Sequence, residues 1–328
     1  MKIRFGILLD HQFPQEEDLA QHLDQLITFT ERARDLGFDA IFGIHHFLAS
    51  LQTPQPFQLL ARLIPHSGTM LLGTSVYIST LTHPVQIAEE IATLDQLSRG
   101  RLIFGSGVGY RKEEFESFGI DKKTRGHRFV EELSAIKGLL GNQPFSMDGD
   151  YFKLCKVQSS VKPFRNRSIP FWIGANASET IERAARIGDA WIASPNVKLN
   201  WAIGNLEKFK SVRKRNNLLL DSDFFPISRE LHISSSDSEA LARCSDYLKR
   251  QYIEYSKYDL EHFYEIFEEL LEKSFLIGSA DSVRIKLERY INGGFNFFLF
   301  RTFWSGMSYE FANETLERFS RDIMPKLR

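Results

Sequence analysis

Short runs rich in β-branched and aromatic residues alternate with longer amphipathic segments along the whole chain of 328 residues. Eight of these runs have the length and composition of strands: Ile3 to Leu9, Ala40 to Ile44, Leu71 to Ile78, Arg101 to Gly105, Phe171 to Ala175, Ala190 to Ala193, Phe225 to Ser234 and Asn296 to Phe300. Segments with helical periodicity separate them, which is the pattern of parallel strands joined by crossover helices. Eight such alternations predict an α/β protein with a closed (β/α)₈ TIM barrel. A doubly wound open sheet is the alternative that periodicity does not exclude.

Two segments exceed this minimal plan. Gln143 to Pro163 contains a turn between short alternating runs, and it predicts a hairpin inserted before the fifth strand. The aromatic stretch Tyr252 to Lys273 is too long for a simple connection, and our hypothesis is that it forms a lid. Because no repeat, low-complexity run or linker divides the chain, residues 1–328 are expected to form one barrel domain.

The composition excludes several classes of partner. With 41 Lys and Arg against 42 Asp and Glu, the net charge of −1 gives no overall basic field for nucleic acid or anionic lipid. No run of about 18 apolar residues is present, so we expect a soluble protein without a membrane partner. Cys155 and Cys244 form no CxxC pair, and the first residues do not read as a signal peptide, so a cytoplasmic location is expected.

A glycine run follows the fourth predicted strand. Gly105, Gly107 and Gly109 are spaced two apart, but Tyr110 stands where a dinucleotide fingerprint needs its third glycine. The run also lacks the Gly-x-Ser-x-Gly spacing of a hydrolase nucleophile elbow. Such glycines let a flat ligand lie close to the backbone, although a plain glycine-rich turn explains them equally well.

A second small-residue segment follows the fifth predicted strand. It comprises Gly174, Ala175, Asn176, Ala177, Ser178, Glu179 and Thr180. Backbone N–H groups and hydroxyls at the start of the next helix can hold a phosphate, and Arg125 or Arg128 could add a guanidinium. The competing interpretation is a helix-capping box at Ser178, with the two arginines solvated on the surface.

The paired histidines His45 and His46 come directly after the second predicted strand. Adjacent residues on a strand point to opposite faces, so one imidazole can face the barrel mouth as a general base. A histidine hydrogen-bonded to a loop carbonyl is the alternative. The nine histidines show no metal-ligand spacing, so no metal site is predicted.

With these positions, the sequence resembles the bacterial luciferase-like monooxygenases, which are flavin-dependent enzymes on a (β/α)₈ barrel. The motifs that carry the resemblance are Leu72 to Val76, His83-Pro84-Val85, Leu94 to Gly105, Phe115 to Gly119, His45-His46-Phe47, Pro170 to Asp189 and Asp322 to Pro325. It covers the whole chain and is weakest from Asn196 to Ser274.

The resemblance implies that reduced FMN lies across the barrel mouth. The residues it places at the cofactor are Ser75, Val76, Gly107, Arg125, Arg128, Gly174, Asn176, Ala177, Ser178 and Thr180. The peptide bond matching Ser75-Val76 is often cis in the family. His45 would take the role of the base, and His46 would matter more for folding. The resemblance further implies a small-molecule substrate, a separate NAD(P)H:flavin reductase that supplies reduced FMN, and a homodimer.

The departures from the luciferases leave three functions open. Luciferases have cysteine and arginine where this chain has Gly107 and Val108, and glutamate where it has Ile44, so light emission is not expected. The leading interpretation is a two-component FMN-dependent monooxygenase. The alternatives are a deazaflavin-dependent hydride-transfer enzyme and a non-catalytic flavin-binding protein. The many phenylalanines favour an apolar or aromatic substrate, although such residues more often form the core.

Overall fold

The computed structural model describes residues 2–220, 224–259 and 263–328, with side chains described outside 254–266. The strands are β1 (Arg4–Leu8), β2 (Ala40–Gly43), β3 (Leu71–Thr74), β4 (Tyr77–Ile78), β5 (Leu102–Gly107), β6 (Phe145–Asp148), β7 (Lys153–Val157), β8 (Phe171–Gly174), β9 (Ala190–Ile192), β10 (Pro226–Ile233), β11 (Leu276–Gly278) and β12 (Phe297–Arg301). The helices are α1 (Leu19–Asp35), α2 (Pro56–Leu63), α3 (Pro84–Ser98), α4 (Lys112–Ser117), α5 (Arg125–Leu140), α6 (Ser178–Ile187), α7 (Leu199–Arg215), α8 (Asp237–Asp259), α9 (Phe263–Lys273), α10 (Ala280–Asn292), α11 (Tyr309–Arg318) and α12 (Met324–Leu327). None of the described helices is long and apolar enough to cross a membrane.

Parallel strands form the predicted barrel. Neighbours run in the order β10-β12-β1-β2-β3-β5-β8-β9, and β4 continues β3 alongside β5. The last seam is narrow: Ala193, directly after β9, bridges in parallel to Ile227 of β10, and the Ser228 N–H donates to the Ala193 carbonyl at 3.0 Å. The (β/α)₈ architecture expected from the sequence is therefore confirmed, and the carboxyl ends of its strands meet at one mouth.

Three details differ from the prediction. The run Leu71 to Ile78 is divided into β3 and β4 by a cis Ser75-Val76 peptide bond. The short strand β11 was not predicted, and it pairs with the C-terminal end of β10. The long stretch after β10 is divided into α8 and α9, and the expected lid within it falls largely on residues 254–266, outside the described side chains.

The hairpin expected at Gln143 to Pro163 is present. Strands β6 and β7 pair antiparallel and form their own two-stranded sheet apart from the barrel. Glu131 of α5 holds its turn, because its carboxylate accepts from the backbone N–H groups of Asp150, Tyr151 and Phe152 at 3.0, 3.0 and 2.6 Å.

Alternation along the strands builds two apolar layers. A large cluster fills the space between strands and helices, whereas a smaller one fills the barrel itself. Inside the barrel, the Phe42 and Trp172 rings stack with centroids 5.3 Å apart, and Phe297 meets Trp172 edge-on at 4.9 Å. Because these rings plug the interior, a ligand can reach reactive side chains only from the mouth.

Candidate active site

One side of the mouth is lined by backbone and small residues. The cis Ser75-Val76 bond lies between β3 and β4, as the family resemblance implied. A Cβ on Gly107 would lie 2.7 Å from Val76 Cγ2, and a Cβ on Gly174 would lie 3.0 Å from Val76 Cγ1. The structure therefore brings the predicted residues Ser75, Val76, Gly107 and Gly174 together, and we call these four residues the glycine side of the mouth.

Gly105 has a different reason to be glycine. A Cβ there would lie 1.8 Å from the Thr74 carbonyl oxygen, and the Thr74 hydroxyl donates to the Gly105 carbonyl at 2.7 Å. Close approach of β3 to β5 therefore requires this glycine, whether or not a ligand is present.

The predicted phosphate segment begins helix α6. Ala177 is the residue before the helix, and its N–H donates to the Thr180 hydroxyl oxygen at 3.2 Å. The Thr180 hydroxyl in turn donates to the Ala177 carbonyl at 2.6 Å. The competing interpretation of a capping box is thus confirmed at this helix start, but its N-cap is Ala177 rather than Ser178, and Thr180 provides the side-chain contact. Asn176, Ala177 and Ser178 are exposed.

A lysine that the sequence reasoning missed contacts this segment. Lys208 of α7 donates to the Ser178 hydroxyl at 2.9 Å and to the Ser178 carbonyl at 3.0 Å. No local motif marks Lys208, because α6 and α7 meet only through the tertiary fold. It places a positive charge at the start of α6.

The two predicted arginines lie in the first turns of α5. The Arg125 guanidinium donates to the Lys122 carbonyl at 2.8 Å, and Arg128 Nε donates to the Thr80 carbonyl at 3.0 Å. Neither is hydrogen-bonded to Ser178 or Thr180 in the described part of the chain. Arg183 of α6 lies close to the start of α5, because a Cβ on Gly126 would lie 2.9 Å from Arg183 Nη1. Burial, with Arg125 nearby, lowers the pKa of Arg183.

His45 is fixed at both ring nitrogens. The Ile78 N–H donates to its Nδ1 at 3.0 Å, so Nε2 carries the proton and donates to Gln55 Oε1 at 2.8 Å. The ring stacks on Tyr77 with centroids 4.1 Å apart. Burial lowers the pKa of His45 to about 3. This geometry opposes the base role expected of His45, because no nitrogen lone pair is open to the mouth.

His46 has the more open ring. Its Nδ1 lies 3.2 Å from Glu114 Oε1, and its Nε2 has no partner within the described residues. Glu114 is fully buried, and the same oxygen accepts from the Phe47 N–H at 2.9 Å. Arg111 completes the cluster by donating to the carbonyls of Phe47 at 2.8 Å and Leu48 at 3.1 Å. The carboxylate thereby fixes the tautomer that leaves Nε2 as the basic nitrogen.

The other side of the mouth carries buried charges. Arg301 ends β12 and Glu230 lies opposite it on β10, and Arg301 Nε donates to both Glu230 oxygens at 3.1 and 2.9 Å. Asp10 follows β1, with Oδ2 3.8 Å from Arg301 Nη1. We call Asp10, Glu230 and Arg301 the acidic cluster. None of the three is among the site residues predicted from the sequence, and Glu230 and Arg301 are embedded in apolar strands.

Within the described residues, no group of three or more His, Cys, Asp or Glu side chains is arranged to hold a metal ion. Histidines 11, 45 and 46 follow neighbouring strands, but His11 Nε2 accepts from the Ile44 N–H at 2.9 Å and is therefore occupied by the backbone.

Comparison with known proteins agrees with this architecture. The model of the luciferase-like monooxygenase family matches residues 3–296. The oxygenase component of the flavin-dependent trigonelline monooxygenase of Acinetobacter baylyi is 25% identical, over 98% of this chain and 95% of its own length.

Two solved structures show the same fold. The monooxygenase RslO1 from Streptomyces bottropensis has a TM-score of 0.90 at 21% identity, over 99% of this chain and 100% of its own. An F420-dependent secondary alcohol dehydrogenase, solved with an F420-acetone adduct, has a TM-score of 0.80 at 17% identity, with each chain fully covered. From the family match across nearly its whole length, the chain belongs to the luciferase-like monooxygenases and is an enzyme of that family.

Proposed function

We propose that the protein is the oxygenase component of a two-component monooxygenase that uses reduced FMN and O₂ to oxygenate a small organic substrate. The observation that carries this proposal is the glycine side of the mouth, where Gly107 and Gly174 carry no side chain and Val76 packs directly over them, beside a helix start that fits a phosphate. The relative named as an oxygenase component supports a separate NAD(P)H:flavin reductase as partner.

The residues around the start of α6 fit a phosphate. The Ser178 and Thr180 hydroxyls lie in the first turn of α6, where backbone N–H groups favour an anion. Lys208 already contacts Ser178, and Arg125 and Arg128 begin the neighbouring helix. These groups would hold the FMN phosphate, with Asn176 and Ala177 in the loop beside it.

The isoalloxazine ring would rest on the glycine side of the mouth. The chemistry supplied by reduced FMN bound there would be two electrons, with which one atom of O₂ would enter the substrate and the other would leave as water. The chain's contribution is to orient the ring on Val76 and to keep its own side chains away at Gly107 and Gly174.

His46 is the residue that we assign to proton transfer. Its Nε2 is open, and Glu114 both orients the ring and stabilises the imidazolium that forms when Nε2 takes a proton. His45 becomes a positioning residue, because its two hydrogen bonds join the loop after β2 to β4 and to Gln55. This reverses the roles expected from the resemblance.

Isotope labelling tests the proposal directly. The protein, an NADH:flavin reductase and FMN are incubated under ¹⁸O₂ with a panel of aromatic amines, aldehydes, ketones and thioethers, and products are examined by mass spectrometry. We expect a product that carries one ¹⁸O atom and that forms only when FMN is present. In a parallel incubation with H₂¹⁸O and unlabelled O₂, we expect no label at carbon- or sulfur-bound oxygen positions that do not exchange with water. Absence of any labelled product across the panel contradicts the proposal.

A second candidate is deazaflavin-dependent hydride transfer, which the F420-dependent fold neighbour supports. The same glycine side would accommodate either ring, so the cofactor separates the two functions. Incubation with oxidised F420 and a panel of secondary alcohols would produce reduced F420 without O₂ consumption if this candidate were correct. Homodimerisation and a cytoplasmic location stay predictions from the sequence.

A further inference from the structure

The acidic cluster faces the barrel axis at the mouth. Arg301 lies two residues beyond Leu299 on β12, and Asp10 lies two residues beyond Leu8 of β1. Leu8 and Leu299 both belong to the apolar layer inside the barrel. Because side chains alternate along a strand, Asp10 and Arg301 stand directly above that layer on the same face.

Glu230 and Arg301 neutralise each other. Glu230 accepts from Arg301, from the Tyr252 hydroxyl at 2.7 Å and from Trp304 Nε1 at 2.8 Å. All of these side chains are buried. The Glu230 carboxylate is therefore satisfied by donors, and the fork of Arg301 is directed at it.

Asp10 is left as the excess charge. It is 2% exposed, and neither of its oxygens accepts a hydrogen bond from a described side chain. Arg301 Nη1, 3.8 Å away, is beyond hydrogen-bond distance. Two carboxylates and one guanidinium carry a net charge of −1 when all are ionised. A buried carboxylate without a side-chain donor is costly unless it is protonated or meets a cation.

The surroundings are aromatic. Tyr252 and Trp304 flank the acidic cluster, because both donate hydrogen bonds to Glu230. The Arg301 guanidinium lies 5.8 Å from the centroid of the Tyr252 ring. Tyr309 stacks on Phe303 with centroids 4.4 Å apart, and its buried hydroxyl has no partner among the described residues. Aromatic rings around a buried carboxylate form an environment that suits an organic cation.

We propose that the enzyme acts on an organic cation, such as a protonated amine or quaternary nitrogen on an aromatic or apolar body, and that Asp10 recognises its positive charge. This inference rests on the proposed monooxygenase function, because it names the class of compound that would be oxygenated. The cation would enter from the mouth, opposite the glycine side, and supply the donor or charge that Asp10 lacks.

Paired ligands test the charge preference by isothermal titration calorimetry. On the wild-type protein, the affinity for benzylamine is compared with that for benzyl alcohol. The affinity for N-benzylpyridinium is compared with that for neutral alcohols of the size of diphenylmethane. We expect at least one cation to bind ten-fold or more tightly than its neutral partner. Asp10→Asn should abolish this preference, whereas Glu16→Gln, which removes an exposed charge from the same loop, should retain it. No preference for any cation, including no binding at all, overturns the inference.

Proton release gives an independent readout. Burial, opposed by Arg301 and reinforced by Glu230, raises the pKa of Asp10 to about 7, and Tyr309 of α11 also faces it. Bound cation would displace that proton to the buffer, so titrations at pH 7 in buffers of different ionisation enthalpy should show release of roughly half a proton. Asp10→Asn should release none. Equal release by wild type and Asp10→Asn excludes Asp10 as the recognition residue.

Anaerobic titration of the same proteins with reduced FMN separates this inference from the proposed function. FMN binding without a cation preference refutes only the substrate class. Failure of reduced FMN to bind refutes the proposed function instead.

Discussion

The two sides of the mouth are built by opposite means. On the glycine side, Gly107 and Gly174 have no side chains, and Val76 packs against both positions. Across the barrel, the acidic cluster buries three ionisable side chains, which lie after β1, within β10 and at the end of β12. The first side suits a large flat cofactor that is bound by shape, whereas the second suits a small ligand that is bound by charge. His46, after β2, stands between them in the order of the strands.

This difference predicts where the enzyme tolerates change. A surface made by missing side chains is lost when a side chain is added. A surface made by paired charges is lost when one partner is removed, because the remaining charge stays buried. The predictions below use this asymmetry.

The largest effect is expected at His46. Replacing His46 with Ala should lower turnover by about 10²- to 10⁴-fold, the usual contribution of a positioned proton-transfer group, while FMN affinity changes little. His45→Gln is the matched control and should reduce stability more than turnover. Single-turnover kinetics with reduced FMN and O₂ on a substrate identified by the labelling panel would check both. Near-normal turnover of His46→Ala, with loss in His45→Gln, would restore His45 as the base.

Removing Glu230 should destabilise the fold strongly. Glu230→Ala leaves the Arg301 guanidinium and two aromatic donors buried without their acceptor, and we expect a loss of about 3–5 kcal/mol in the free energy of unfolding. Thr180→Ala, which removes only the exposed cap of α6, should cost about 1 kcal/mol. Urea denaturation measures both. Equal losses would contradict the role of Glu230 as the acceptor that satisfies the buried Arg301 guanidinium.

Stability should depend on pH in opposite directions through Asp10 and His45. Burial raises the pKa of Asp10 from 3.8 to about 7, so the unfolded chain releases this proton first and stability falls as pH rises through that interval. Burial lowers the pKa of His45 from 6.5 to about 3, so stability falls as pH decreases through that interval.

Variants isolate the two contributions. Relative to wild type, Asp10→Asn should gain up to about 4 kcal/mol in unfolding free energy between pH 4 and pH 7, the equivalent of a shift of about three pH units. His45→Gln should gain relative stability as pH decreases below 6.5. A difference between Asp10→Asn and wild type that is constant from pH 4 to pH 7 would show that Asp10 does not titrate in this range.

The smallest effect is expected at the phosphate. Arg128→Ala and Thr180→Ala should each weaken binding of reduced FMN by roughly 1–3 kcal/mol, the scale of a lost charge-assisted hydrogen bond. Arg186→Ala is the control, because this arginine is exposed on α6 and pairs only at 3.5 Å with Glu182. Unchanged affinity in both test variants would remove the phosphate from this helix start.

The sequence predicted the two sides of the mouth unequally. The barrel and the glycine side follow from local patterns: strand alternation, glycines spaced two apart, and small residues before a helix. The acidic cluster joins Asp10 to Arg301 from opposite ends of the chain, and Arg301 ends the apolar run Phe297 to Phe300. Nothing local distinguishes such a residue from a solvated one at the end of a strand.

The same limit applies to the roles that we propose for the two histidines. Their position after β2 was visible in the sequence, but which ring is open depends on partners from other elements. Ile78 and Gln55 occupy His45, whereas Glu114, 68 residues away, leaves one nitrogen of His46 open. Lys208 was not predicted for the same reason, because its contact with Ser178 joins two different helices.

Anaerobic titration with reduced cofactors tests the central claim most directly. The protein is titrated with reduced FMN, reduced FAD and reduced F420, with binding followed by flavin fluorescence and calorimetry. We expect saturable binding of one reduced FMN per chain, weaker binding of FAD, and an affinity for reduced FMN that exceeds that for reduced F420. Tight binding of F420 without measurable binding of reduced FMN would contradict the assignment of an FMN-dependent monooxygenase.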